Sequence, residues 1–185
     1  MKSAENNDQR LLRDLQSRKR RADRAFMTVY DSYAGVVRGF VLCFVDNRDH
    51  VEDIFQETFI SFYKNARAGK DINNINAYLI GIARNLCMNY HRDRKVTVPI
   101  DIGHLTVDER GDLERAEMLE ILMQAVSLLD EKYREAFVLR ELNGMAYAEI
   151  AEITGTSLSG AKTRVARANQ QLIKILSPYM KDLER

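Results

Sequence analysis

The chain has 185 residues, 45% hydrophobic and 30% charged, with nine Gly, two Pro, two Cys and no Trp. That length supports one domain or two small ones. So few Gly and Pro exclude a turn-dense β sandwich or barrel, a collagen-like chain and Pro-rich disorder. The formal net charge of +1 lacks the positive excess usual in nucleic-acid binders, but it is a sum over blocks of opposite sign.

Leu, Ala, Glu, Arg, Lys and Met dominate the remainder, all good helix formers, so an all-α protein is expected. Cys43 and Cys87 stand far apart in apolar surroundings without a CxxC spacing, which predicts buried small hydrophobes rather than a metal site or disulfide. The opening residues contain no apolar signal segment. The most apolar run, Val36 to Val45, is interrupted by Arg38 and too short to cross a bilayer. A soluble, cytoplasmic protein without membrane insertion is the expectation.

Residues 1–24 carry eight cations against four acids and read as a basic N-terminal arm. Ala25 to Phe44 follows as an apolar helical stretch. Asp49 with Glu52 has capping-box spacing and is expected to open the next helix. That helix has an apolar stripe of Val51, Ile54, Phe55, Phe59, Phe62, Tyr63 and Ala66. Glu52, Asp53, Gln56 and Glu57 fall on its other side, and Gly69 ends it. After the polar loop Asn73–Asn76, Asn76 is a candidate N-cap. The helix beyond it is expected to bury Leu79, Ile82, Ala83, Leu86 and Tyr90. Tyr78, Gly81, Asn85, Asn89 and Arg92 lie on a different, polar face.

Residues 84–95 are basic, with Arg84, Arg92, Arg94 and Lys95 against Asp93. Residues 101–120 reverse the sign, with seven acids against Arg110 and Arg115. The aperiodic span 96–112 reads as an extended acidic linker. The expected domains are therefore 1–24, the arm; 25–95; the linker, 96–112; 113–178; and a tail, 179–185. Met118, Ile121, Leu122, Ala125 and Leu129 restart a helical stripe. Asp130 then caps a helix to about Leu142, which Asn143-Gly144 stops.

Two segments close the chain, Tyr147–Thr154 and Ser157–Leu176, joined by Gly155-Thr156. This has helix-turn-helix form. Ala151 permits close approach of the two helices, Gly155 suits the turn, and Ser157 offers an N-cap. Leu158, Ala161, Val165, Ala168 and Leu172 are expected to face inward. Ser159, Lys162, Thr163, Ala166, Arg167 and Gln170 face out, and residues 157–176 contain no acid. A donor-rich, acid-free face at the start of a second helix is what major-groove entry requires. A bland αα-hairpin with a basic face fits the same segment.

Enzymatic chemistry has little support. His50, His91 and His104 lack zincin spacing, and there is no Gly-rich phosphate loop or nucleophile elbow. No cofactor, metal or catalytic residue is expected.

Four segments together resemble the bacterial RNA polymerase sigma factors of the sigma-70 family, extracytoplasmic-function (ECF) group, over residues 24–177. Val51-Glu-Asp-Ile-Phe-Gln-Glu-Thr-Phe is similar to the family's "AEDlvQeaF". Asn76-Ala-Tyr-Leu-Ile-Gly-Ile-Ala-Arg-Asn-Leu is similar to "aWLyrIArNl". Leu129-Asp-Glu-Lys-Tyr-Arg-Glu-Ala-Phe-Val-Leu-Arg-Glu is similar to "LPprqReVflLre", and the helix-turn-helix to "sveEIAeilgisvgTVksRlhRA". The chain departs from the pattern at Tyr78 for Trp, Asn89 for Asp, Asp130 for Pro, and Gly160-Ala161 for Thr-Val.

The resemblance implies a region 2-like helical bundle and a region 4-like helix-turn-helix domain joined by an extended linker. Partners would be core RNA polymerase, at its clamp and flap, and promoter DNA. The two-domain plan is also compatible with an anti-sigma factor. Asp53 and Gln56, flanked by Glu52 and Glu57, would dock on the clamp. Asn85, Asn89, Arg92 and the loop Asn73–Asn76 would hold the −10 element, with Arg84 and Arg92 on phosphates. Tyr78 is either an aromatic wedge there or a core residue. Ser159, Lys162, Thr163 and Arg167 would read or clamp the −35 element, and Arg164 would take a phosphate or an internal ion pair. The linker would thread toward the RNA-exit path. The rival reading is a helix-turn-helix regulator that acts without joining polymerase.

Overall fold

A computed structural model describes residues 2–93 and 113–183, which are helical with no strand among them. The expected linker 96–112, Arg94 and Lys95 of the basic block before it, and the last two residues of the tail lie outside the described residues. The chain divides into two units, Met1–Val96 and Thr97–Arg185.

In the first unit, α1 (Lys2–Leu15), α2 (Lys19–Leu42), α3 (Arg48–Arg67) and α4 (Ile75–Asp93) pack on one another. The expected N-terminal arm is part of this unit. Leu11, Leu12 and Leu15 recur at helical spacing and are buried, so α1 adds a face to the core instead of standing apart. Long-range bonds hold it. The Asp8 carboxylate accepts from the Ile75 amide of α4 at 3.1 Å and from the Tyr33 hydroxyl of α2 at 3.1 Å. The Arg67 guanidinium donates to the carbonyls of Leu15 and Ser17 at the end of α1.

The seam between α2 and α3 is aromatic. Phe26 meets Phe59 edge-on at 6.3 Å and Tyr63 at 5.1 Å, while Tyr30 lies 4.9 Å from Phe59. Such pairs add about 0.5–1.5 kcal/mol each beyond their buried area. The expected apolar stripe of α3 is buried at Val51, Ile54, Phe55, Phe59, Phe62 and Ala66. Buried Thr58 satisfies its hydroxyl on the Ile54 carbonyl at 2.7 Å.

Three local expectations need correction. Asn47, not Asp49, caps α3, because its side-chain oxygen accepts from the Asp49 and His50 amides at 2.9 and 3.2 Å. Asn74, not Asn76, supplies a side-chain cap to α4, accepting from the Ala77 amide at 3.0 Å. On α4 itself the fully buried positions are Ile75, Leu79, Ile80, Ala83 and Cys87, while Ile82, Leu86 and Tyr90 are half-buried. The inward stripe is rotated because α4 packs against both α2 and α3. The Tyr90 hydroxyl instead donates to Asp46 at 2.6 Å. Both cysteines are buried. Burial, with the Cys43 thiol as a secondary cause, pushes Cys87 up to about 12, so it stays a protonated core group at neutral pH.

The second unit comprises α5 (Leu113–Ser127), α6 (Glu131–Phe137) continued by a π turn Val138–Leu142, α7 (Tyr147–Thr154) and α8 (Leu158–Leu183). Arg134 donates to the Ser127 and Leu129 carbonyls at 2.6 and 3.0 Å, closing the end of α5. Asp130 occupies the N-cap position of α6 but its side chain makes no capping bond. Gly144 stops the π turn at φ 66°. The core gathers Ala125, Leu129, Phe137, Leu139, Ile150 and Val165.

Met118 of the expected α5 stripe is 59% exposed, with Met123 and Val126 buried in its stead. α8 runs past the expected end at Leu176 and through Pro178. Pro178 has no amide hydrogen for the Lys174 carbonyl, and the Ser177 hydroxyl bonds that carbonyl at 3.1 Å.

Candidate interfaces for protein and nucleic acid

On α3, Asp53, Gln56 and Glu57 are exposed and Glu52 half-buried. Glu52 is engaged within the unit. It pairs with Arg38 at 2.6 Å and accepts from the Gln56 amide at 3.3 Å, while the Arg38 guanidinium sits 4.7 Å above the Phe55 ring. Glu57 accepts from the Ser61 hydroxyl at 2.8 Å. Among the described residues Asp53 makes no side-chain hydrogen bond or ion pair, which makes it the open one of the three carboxylates.

On α4, the spacing 78, 85, 89, 92 places Tyr78, Asn85, Asn89 and Arg92 in one stripe, with Arg84 about 120° round the helix. Asn85, Asn89 and Arg92 are exposed, and Arg84 is half-buried. Tyr78 is both core and surface. Its half-buried ring stands edge-on to Phe62 at 6.3 Å, and Lys70 approaches the ring at 5.5 Å. Gly81 lies beside the stripe between Tyr78 and Asn85, and nothing comes within 4 Å of where its Cβ would be.

The helix-turn-helix follows from local chemistry. The Ala146 amide donates to Glu149 at 2.8 Å, starting α7. Gly155, at φ 62°, ends it in the left-handed region that favours glycine, and the Thr156 amide reaches back to the Ala151 carbonyl at 2.9 Å. Ser157 then accepts from the Gly160 amide at 3.0 Å and caps α8, as its position predicts. A Cβ on Gly160 would stand 2.5 Å from the Thr156 hydroxyl oxygen, so this departure from the Thr of the family pattern is matched by Thr156 filling the space.

Ser159, Lys162, Thr163 and Arg167 are exposed on one face of α8, Arg164 is half-buried to its side, and Ala161, Val165, Ala168 and Leu172 are buried. Leu158 is not inward. It is 48% exposed, because the first residue of α8 lies at the turn, ahead of the stretch that packs.

Two contacts on this face have no signature in the sequence. The Arg167 guanidinium donates to the Tyr133 hydroxyl of α6 at 3.2 Å, and that bond draws the phenol below its ordinary pKa. Tyr147 takes cations from two elements, Arg140 at 4.6 Å and Lys162 at 5.9 Å from its ring centre. Arg140 is also anchored on the Met145 carbonyl at 2.7 Å. Among the described residues no His, Cys, Asp and Glu cluster is arranged to hold a metal, and no helix is long and apolar enough to cross a membrane.

Comparison with known proteins places both units. A family model described as "Sigma-70 region 2" matches residues 29–97, and "Sigma-70, region 4" matches residues 119–172. The "ECF RNA polymerase sigma factor SigM" of Bacillus subtilis is 30% identical over 148 residues, covering 78% of this chain and 90% of that protein. The "Ferric citrate uptake sigma factor FecI" of Escherichia coli is 29% identical over 165 residues, covering 85% of this chain and 94% of that protein.

Among solved structures, the sigma factor RpoE of Bartonella quintana, determined in complex with the anti-sigma factor NepR, matches with TM-score 0.68 and 25% identity over 82% of this chain and 96% of that chain. CnrH in complex with the cytosolic domain of CnrY matches in fold with TM-score 0.70 and 21% identity, over 93% of this chain and 98% of that chain. A stand-alone regulator would not carry a region 2 unit ahead of its helix-turn-helix. The chain belongs to the ECF RNA polymerase sigma factors of the sigma-70 family.

Proposed function

We propose that this sigma factor docks on the clamp of core RNA polymerase through the exposed face of α3, with Asp53 as the principal charge and Gln56 and Glu57 beside it. Glu52 acts mainly by holding Arg38 and Gln56 in place. The α4 stripe then holds the −10 element. Asn85 and Asn89 carry amide donors and acceptors that suit base edges, Arg92 offers a phosphate contact, and Tyr78 presents its exposed edge as a wall for an unstacked base. Opening duplex DNA costs a few kcal/mol per base, which such a pocket must offset.

In the second unit, Lys162, Thr163 and Arg167 contact the −35 element, with Ser159 at the groove entrance and Arg164 toward the backbone. The flap of core polymerase and an anti-sigma factor are further partners. The protein works by binding energy, without covalent chemistry of its own.

The observation that carries this reading is the α8 face. It is exposed, donor-bearing and free of carboxylates over residues 157–176, and it is set by the Gly155 turn and the Ser157 cap. Reconstitution with core RNA polymerase on a promoter library tests it. Co-purification with core and transcripts from discrete start sites are expected, and a protein that does neither has been misread.

A further inference from the structure

The basic block near the N-terminus has no role in the function described so far. Its position in the fold gives it one. α2 and α3 run antiparallel, since Phe26 meets Phe59 and Tyr63 while Tyr30 meets Phe55. Phe62 in turn meets Tyr78. The start of α2, the end of α3 and the start of α4 therefore lie at the same end of the first unit.

α1 and its corner with α2 are fastened there from both sides of the loop 68–74. Arg67, just before the loop, donates to the Leu15 and Ser17 carbonyls, and the Ile75 amide, just after it, donates to Asp8. The corner is held against the segment that leads into the −10 stripe, rather than swinging free.

Its surface is strongly cationic. Arg18, Lys19, Arg20 and Arg24 are exposed, and among the described residues none of them has an ion pair. The cations outnumber the nearby acids, among which Asp23 and Asp71 are exposed and keep their charge. Asp14 pairs with Arg21 at 2.7 Å, and Asp23 accepts from the Tyr63 hydroxyl at 3.3 Å. Lys64 and Lys70 extend the same charge from the end of α3 to the ring of Tyr78, which Lys70 approaches at 5.5 Å. A strand lying along the α4 stripe and leaving at Tyr78 passes onto this belt. Guanidinium groups carry forked donors that match phosphate oxygens, and several at one fixed corner suit a polyanion with closely spaced charges.

We propose that the α1–α2 corner, through Arg18, Arg20 and Arg24, is a second nucleic-acid surface that grips the sugar-phosphate backbone of promoter DNA next to the −10 site. This rests on the −10 reading of α4. The corner contributes affinity without reading sequence.

The test is a full-length variant carrying Arg18→Gln, Arg20→Gln and Arg24→Gln, assembled with core RNA polymerase. DNA fragments selected by the wild-type holoenzyme, and the same fragments with scrambled sequence, are titrated over a range of KCl. The slope of log affinity against log salt is expected to become shallower by about 2, at roughly 0.7–0.9 per lost phosphate contact. Weakening should be similar on both fragment sets, with association to core unchanged. An unchanged slope overturns the proposal, as does a loss of core association, which would assign the corner to an acidic protein surface. Failure of the −10 reading is separately visible: Asn85→Ala with Asn89→Ala would then leave promoter opening unaffected.

Discussion

The Arg167 guanidinium donates to the Tyr133 hydroxyl at 3.2 Å, tying the exposed face of α8 to the buried flank of α6. One of five guanidinium donors is spent inside the protein and the rest are held in a limited range of orientations. Tyr133→Phe keeps the ring in place and removes only this restraint. Affinity of the second unit for −35 DNA should fall by about 0.5–1.5 kcal/mol, the worth of one such bond. In an Arg167→Ala background the same change should have no effect on DNA affinity. A double-mutant cycle by fluorescence anisotropy measures this, and additivity would show that the two side chains act independently.

Lys162→Ala with Arg167→Ala removes both cations from the α8 face. Transcription from −35-dependent promoters should drop at least tenfold, since each good base contact is worth about 1–3 kcal/mol. Association with core should be unchanged. Measured loss of core binding in this variant would assign α8 to the polymerase instead of DNA.

Asp53→Ala removes the carboxylate of the α3 face that has no partner within its own unit. Core affinity is expected to weaken by about 2 kcal/mol or more if Asp53 sits at the centre of the contact. Glu52→Ala should instead lower the thermal stability of the first unit slightly, by under about 1 kcal/mol, because its exposed pair with Arg38 is worth little. Surface plasmon resonance on core and a melting curve separate the two.

Alkaline pH should loosen the first unit through Tyr33. Burial, followed by the Asp8 charge and its hydrogen bond, raises this phenol from 10.0 to about 12. The unfolded chain therefore ionises first, and the stability contribution is complete below pH 10 and lost as pH rises toward 12. Tyr33→Phe should flatten the loss of stability over that window in denaturant titrations. Ultraviolet difference spectra should show Tyr133 ionising at lower pH than Tyr33, because the Arg167 hydrogen bond lowers the one while burial, with Asp8 behind it, raises the other.

Glycines supply a stability pair of opposite sign. Gly35 is exposed within α2 with nothing within 4 Å of a would-be Cβ, so Gly35→Ala should stabilise by about 0.5–1 kcal/mol. Gly155 sits at φ 62° between α7 and α8, and Gly155→Ala should cost about 1 kcal/mol or more through left-handed strain. Thermal melts of the two variants settle both signs.

The amino-acid sequence by itself determined the helical class, the bounds of α7 and the Ser157 cap of α8, the apolar stripe of α3, and the outward set Ser159, Lys162, Thr163 and Arg167. These rest on periods of three to four residues and on backbone preferences of Gly and Ser, which act within one turn of chain. The caps at Asn47 and Asn74 were missed by two residues each, because several Asn and Asp stand close enough to serve and packing of the helix selects among them. Tertiary structure alone decided that α1 joins the first unit, since Asp8 meets Ile75 and Arg67 meets Leu15 only once α3 and α4 are in place. It likewise turned Leu158 outward and brought Arg167 onto Tyr133. Contacts between residues tens of positions apart depend on how helices cross, and that geometry is fixed by the whole packed core instead of by any local pattern.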